Sequence, residues 1–171
     1  MGNLANIIGY QCVWFAAVLG ASCGLAWAGP AAAAVFAAIE LRRSPHLRLD
    51  AKLIATCLAV GVVVDGTMAL GGIVRYASPG PALAAPVWIL SIWVAFGLTL
   101  AHSLAFLQRR PWLAAVAGAA GGPLAYLGAA RLGAVAFERP GLIAVAFAWT
   151  LAMPLLATCA RDRRAVRERA A

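Results

Sequence analysis

Long apolar runs alternate along the chain with short basic or turn-forming stretches. The runs cover roughly residues 4–22, 25–41, 53–74, 86–107, 112–130 and 142–160, and most reach the ~20 residues that a helix needs to cross a bilayer. Within 53–74 and 86–107 almost no polar residue recurs at a helical or strand period, so these segments are apolar all round, as membrane spans are. The pattern predicts an all-α fold, a polytopic transmembrane helix bundle of six spans. The second run is the weakest, because Gly29-Pro30 interrupts it and Glu40, Arg42 and Arg43 close it early. If it is only a kinked or re-entrant segment, the count falls to five. Residues 1–160 read as a single transmembrane domain and 161–171 as a basic tail.

Composition excludes a soluble domain: of 171 residues 64% are hydrophobic and 12% charged, with a mean hydropathy of +0.87. A net charge of +8 raises the question of nucleic acid, but the basic residues lie between and after the spans instead of forming a stripe on one face. Arg42, Arg43, Arg48, Lys52, Arg109, Arg110, Arg161, Arg163, Arg164, Arg167 and Arg169 fall on one side, against Arg75, Arg131 and Arg139 on the other. The positive-inside rule then places the C-terminus in the cytoplasm, in a multi-pass protein of a plasma membrane. Nucleic acid is not an expected partner; membrane lipids are, with the Arg161–Arg169 cluster able to meet anionic headgroups. Ala26-Trp27-Ala28 resembles a signal cleavage site, yet residues 1–11 contain no Lys or Arg, so the first segment is expected to be a retained span.

Cys12, Cys23, Cys57 and Cys159 stand singly, without clustered His or carboxylates. No metal site, disulfide framework or cofactor is expected. Gly20-x-x-x-Gly24 and Gly118-x-x-x-Gly122 predict close helix packing within the bundle, and a chain this small would suit a homo-oligomer.

Candidate chemistry rests on the few polar residues inside the runs. Asp65 is the only carboxylate in the middle of a long apolar run, and an acid at that depth is costly enough to suggest function. Counting 1.5 Å per residue from Leu53 puts Asp65 ~18 Å from the inner edge, near the midplane, and His102 only ~8 Å deep. The two are therefore not expected to touch. Gly121-Gly122-Pro123 interrupts the fifth span at ~14 to 16 Å, where a broken helix would free peptide groups at midplane. The expected deep cluster joins Asp65, Tyr126 and Thr150 with the freed backbone at Gly121 and Gly122. A shallower cluster would join Gln11 and His102 with Thr99 and Ser103 nearby. Asp65, His102 and Tyr126 are the candidates for handling a proton, and the other residues for binding. Each also has a structural reading, as a hydrogen bond that holds helices together. The tryptophans Trp14, Trp88, Trp93, Trp112 and Trp149 read as packing or interfacial anchors.

The string Tyr10–Pro30 (YQCVWFAAVLGASCGLAWAGP), the Asp65-Gly66 pair, Leu100-Ala101-His102-Ser103-Leu104 and Gly121-Gly122-Pro123-Leu124-Ala125-Tyr126 resemble those of an uncharacterised family of small bacterial inner-membrane proteins, a domain of unknown function. The resemblance covers nearly the whole chain. It implies an inner-membrane location, a compact helical bundle and an association with enzymes that modify membrane lipids, but no established activity.

Three functions remain open. The first is an enzyme or accessory factor acting on membrane lipid or another apolar substrate through Asp65 or His102. The second is a small proton-coupled permease with a midplane site, built from inverted halves of three spans each. The third is a non-catalytic membrane scaffold. An apolar, lipid-sized groove opening sideways between helices would favour the first, and a narrow polar cavity open to one aqueous side the second.

Overall fold

A computed structural model describes residues 2–78 and 85–161; the predicted basic tail from 162 onward, with Arg163, Arg164, Arg167 and Arg169, lies outside the described residues. The elements in chain order are α1 (Asn3–Ser22), α2 (Ala28–Arg43), α3 (Leu47–Leu70), β1 (Arg75–Tyr76), α4 (Val87–Leu100), a 3-10 turn (Ala105–Leu107), α5 (Pro111–Arg131), β2 (Val135–Ala136) and α6 (Arg139–Cys159). The result is an all-α bundle, as the sequence predicts. α1 packs on α2 and α4, α2 and α3 on α4, and α5 on α6, with α3 touching α6.

Turn chemistry sets the boundaries. Gly24, at φ +77, turns the chain between α1 and α2 and makes no helix contact, whereas Gly20 of α1 lets Ala28 of α2 approach closely, as predicted. Gly20 lies against Leu25 and Ala28 of the returning strand of chain. Pro111 opens α5 at its first turn and Pro140 does the same for α6, where the missing N–H costs nothing. β1 and β2 pair antiparallel, Arg75 with Ala136 and Tyr76 with Val135, so the α3–α4 and α5–α6 connections meet at one end of the bundle. Ser78 Oγ bonds to the Ala21 carbonyl, bringing the end of α1 to the same end.

Four helices, α1, α3, α5 and α6, are long and apolar enough to cross a membrane. The chain is thus a membrane protein. α2, with 16 residues, and α4, with 14, rise only ~24 and ~21 Å, short of a ~30 Å core. The shortness of α4 corrects the predicted span 86–107, which is helical only to Leu100 and then turns. The cause is local. Asn6 Nδ2 donates to the Leu98 carbonyl at 3.3 Å and Gln108 Nε2 to the Leu100 carbonyl at 2.9 Å, while His102 N and Leu104 N both bond to the Thr99 carbonyl. Side chains have taken carbonyls that the next helical turn would have used.

The predicted break in α5 is also corrected, for one helix runs through Gly121-Gly122-Pro123 from Pro111 to Arg131. Its glycines serve packing. A Cβ on Gly118 would run into the Trp149 carbonyl, and one on Gly122 into the Trp149 ring, so this pair lets α5 and α6 approach closely, as the Gly118-x-x-x-Gly122 spacing predicts. Nothing lies within 4 Å of a Cβ on Gly121. The expected inverted halves find no counterpart either, since α4 packs on α1, α2 and α3 whereas α5 pairs with α6.

Candidate functional site

Asp65 sits on α3, five residues before its end at Leu70, a rise of ~8 Å. It therefore lies in the ribbon-side half of α3, which begins at Leu47, before the Leu53 from which the depth was counted. The carboxyl is fully buried, at 0% exposure. Three side chains from three elements converge on it. Trp93 Nε1 of α4 donates to Oδ2 at 2.6 Å, Tyr76 Oη of β1 to Oδ1 at 2.7 Å, and Tyr126 Oη of α5 to Oδ1. All three partners are neutral.

Small residues make this convergence possible. Gly61 stands one turn before Asp65 on the same face of α3, and a Cβ there would overlap the Trp93 ring. The indole thus lies flat on the helix and its N–H reaches the carboxyl one turn on. Trp93 in turn stacks on Trp149 of α6, with ring centroids 4.7 Å apart at 15°, and meets Phe96 edge-on. An indole N–H only donates, so Oδ2 is an acceptor, whereas each tyrosine hydroxyl can donate or accept. Burial, and then the neighbouring Asp65, push the Tyr76 hydroxyl well above its ordinary value, so Tyr76 holds its proton at any physiological pH.

The cluster borders a cavity of about 500 Å³. α1, α4, α5 and α6 form its walls, with Trp14, Trp93, Phe96, Gly121, Tyr126 and Trp149 among the lining residues. Its lining also includes Phe106 and Leu124, both exposed on the outside of the bundle. No Lys, Arg, His, Asp or Glu lines it among the described residues.

Thr150 takes no part, because its hydroxyl bonds to the Ala146 carbonyl of its own helix at 2.6 Å. Gly121 and Gly122 do line the cavity, but in an unbroken helix that leaves no freed peptide donors facing Asp65. The shallower cluster is divided. Gln11 lines the cavity wall, His102 does not, and Thr99 Oγ1 bonds to the Phe96 carbonyl at 2.7 Å. Ser103 Oγ donates to Asn6 Oδ1 at 2.7 Å.

His102 has a partner that the sequence reading passed over. Its Nε2 stands 3.5 Å from Oδ1 of Asp50, close enough for an ion pair but out of line for a hydrogen bond, and neither Asp50 oxygen has a hydrogen-bond partner. Asp50 is 1% exposed. This second acidic centre lies at the first turn of α3, at the opposite end of the same helix from Asp65. Asp50 and Asp65 share one buried stripe with Leu53, Cys57, Gly61 and Met68, a 3.6-residue period that reveals Asp50 once it is placed inside the helix. Asn6 and Tyr76 were likewise unassigned by sequence, and Trp93 was read only as a packing or anchoring residue. Among the described residues no group of three or more His, Cys, Asp or Glu is arranged to hold a metal ion.

No curated protein and no solved structure matches the chain. A family profile matches residues 3–155, which span every helix described above except the last residues of α6. The chain belongs to that family, the protein family of unknown function DUF2878.

Proposed function

We propose that this protein is an inner-membrane enzyme or accessory factor that admits a lipid or another apolar molecule sideways from the bilayer into the cavity between α1, α4, α5 and α6. Tyr126 meets that molecule and Asp65 holds or exchanges a proton through Tyr126. The observation that supports this most is the juxtaposition of an apolar, aromatic cavity with a buried hydroxyl bonded to a buried carboxyl. The volume of about 500 Å³ falls within the range of pockets that enclose drug-sized ligands, which are mainly apolar with a few placed polar groups. A lipid that must leave an apolar phase for chemistry needs that combination. A permease would need a polar passage open to water on one side, and the lining of this cavity lacks it.

Arrangement of the acid supports a working role as well. Asp65 receives three donors from three elements, one of them from Tyr126, a residue that also lines the cavity. The experiment compares the lipid profiles of cells that lack the protein and cells that produce wild type, Tyr126→Phe or Asp65→Asn at matched membrane levels. The proposal expects a lipid difference between wild type and the deletion, abolished by Tyr126→Phe. Identical profiles for wild type and Tyr126→Phe, both distinct from the deletion, would sink the role of Tyr126.

A further inference from the structure

We infer that Gln11 is the recognition residue at the mouth of the cavity, and that the occupant is an uncharged lipid whose carbonyl or hydroxyl oxygen accepts a hydrogen bond from the Gln11 amide deep in the bilayer. This rests on the reading of the cavity as an apolar binding site and adds the residue that selects what enters.

Position is the first observation. Gln11, Trp14 and Val18 recur at helical spacing on α1 and all line the cavity, so the face of α1 that carries Gln11 is turned toward it. Gln11 is also exposed, as are Gly121 and Leu124 of the α5 wall. α1 packs on α2 and α4, and α5 on α6; α1 and α5 therefore flank the opening where these exposed lining residues stand. Gln11 lies eight residues from Asn3 and eleven from Ser22, ~12 and ~16 Å from the two ends of the helix. The opening beside it is thus near the middle of a ~30 Å hydrocarbon core.

The second observation is an accessible amide without a partner. Asn6 Nδ2 donates to the Leu98 carbonyl while its Oδ1 accepts from Ser103, and Gln108 Nε2 donates to the Leu100 carbonyl, whereas no hydrogen bond engages Gln11 among the described residues. Bilayer hydrocarbon supplies no water to replace one, so an unpaired amide at this depth is costly. A saturated tail fills the cavity and leaves the amide unpaired; an oxygen on the occupant satisfies it. Depth and charge then set the class. A phospholipid holds its charged group at the surface, far from Gln11, and no Lys, Arg, His, Asp or Glu lines the cavity among the described residues to neutralise a carboxylate or phosphate drawn inside. The occupant is neutral and carries its oxygen within an apolar body.

The test uses the purified protein in nanodiscs of ether-linked lipid, which has no carbonyl of its own, and three probes of equal carbon number: dioctyl ketone, heptadecane and heptadecanoate. Binding is read by competition against diphenylhexatriene, a fluorescent hydrocarbon, and the ketone carbonyl stretch by infrared spectroscopy. The ketone is expected to bind about threefold to tenfold tighter than heptadecane, the factor that one net hydrogen bond supplies, and tighter than heptadecanoate. Its carbonyl stretch is expected at lower frequency than in empty nanodiscs. Gln11→Met keeps the length of the side chain and removes the amide, and it should lose both the ketone's advantage and the frequency shift. Equal binding of ketone and heptadecane to wild type, or an advantage that survives in Gln11→Met, overturns the inference and leaves the apolar site standing. Preference for heptadecanoate overturns it too. A rival partner for the amide is Gln11 of a second copy: conversion of dimers to monomers by Gln11→Met, counted by single-molecule photobleaching, also overturns the inference. Failure of all three probes to bind overturns the cavity reading itself.

Discussion

Removing Tyr126's hydroxyl should destabilise the protein only while Asp65 is present. In wild type, Tyr126→Phe deletes one of three donors to a fully buried carboxyl and leaves the ring in place. Hydrogen bonds to charged groups contribute about 1.5–3 kcal/mol in soluble proteins, and interhelical bonds in membrane bundles average about 0.6 with a maximum near 1.7. A cost of about 1–2 kcal/mol follows. In the Asp65→Ala background the same change removes a donor that has lost its acceptor, since Tyr126 is only 5% exposed, so the cost should vanish or reverse to a gain of about 1 kcal/mol. The coupling is then about 1–3 kcal/mol. Reversible unfolding in mixed micelles, titrated with dodecyl sulfate and followed by helical circular dichroism, measures the four corners of the cycle. If Asp65→Ala accumulates too poorly, Asp65→Asn supplies the second background, with a smaller coupling of the same sign. Equal costs of Tyr126→Phe in both backgrounds would show that the hydroxyl and the carboxyl do not interact, and the site described here would be wrong.

Further expectations concern packing, charge and pH. Gly118→Ala drives a methyl group into the Trp149 carbonyl and should cost about 1–3 kcal/mol, whereas Gly121→Ala meets open space and should be neutral or stabilising by about 0.5–1 kcal/mol; the reverse order in thermal melts would contradict the α5–α6 contact. Asp50 carries two unpartnered buried oxygens, so Asp50→Leu should unfold no more easily than wild type, and a marked loss of stability would show that the Asp50–His102 contact holds the fold. Tyr76 has its hydroxyl raised by burial and by Asp65. Its folded value exceeds its unfolded value, so its contribution is fully present below pH ~10 and is lost as pH rises beyond that, at up to about 1.4 kcal/mol per pH unit. Melting curves across this range should show a falling stability that is less steep in Tyr76→Phe, and an unchanged slope would remove Tyr76 from the account.

Depth explains both what the sequence revealed about the site and what it concealed. Asp65 and Tyr126 were paired by level, and the structure does bring them together. Level says nothing of azimuth, however, and Thr150 turns to its own backbone. The same arithmetic finds Trp93 once helix ends are known. It lies six residues into α4 from the ribbon end, ~9 Å in rise, beside Asp65 at ~8 Å from that end. Read only as a packing residue, its N–H went unassigned. Asp50 was hidden by its neighbours, because Arg48 and Lys52 make the stretch look like a solvated loop, whereas the helix already starts at Leu47 and turns Asp50 inward. α4 ends early through long-range bonds from Asn6 and Gln108 to its carbonyls, which local hydropathy cannot register. The helical class, by contrast, follows from apolar length alone, since a backbone in lipid must satisfy its own hydrogen bonds.

Native mass spectrometry of the protein released from nanodiscs made with total membrane lipid tests the central claim most directly. Wild type should carry one neutral, lipid-sized adduct that survives mild activation. Gly121→Trp, which projects a ring from α5 into the open space beside that residue, should be folded and free of it. An adduct retained in full by folded Gly121→Trp, or no adduct on wild type, would contradict the claim that the cavity beside Tyr126 and Asp65 is a lipid site.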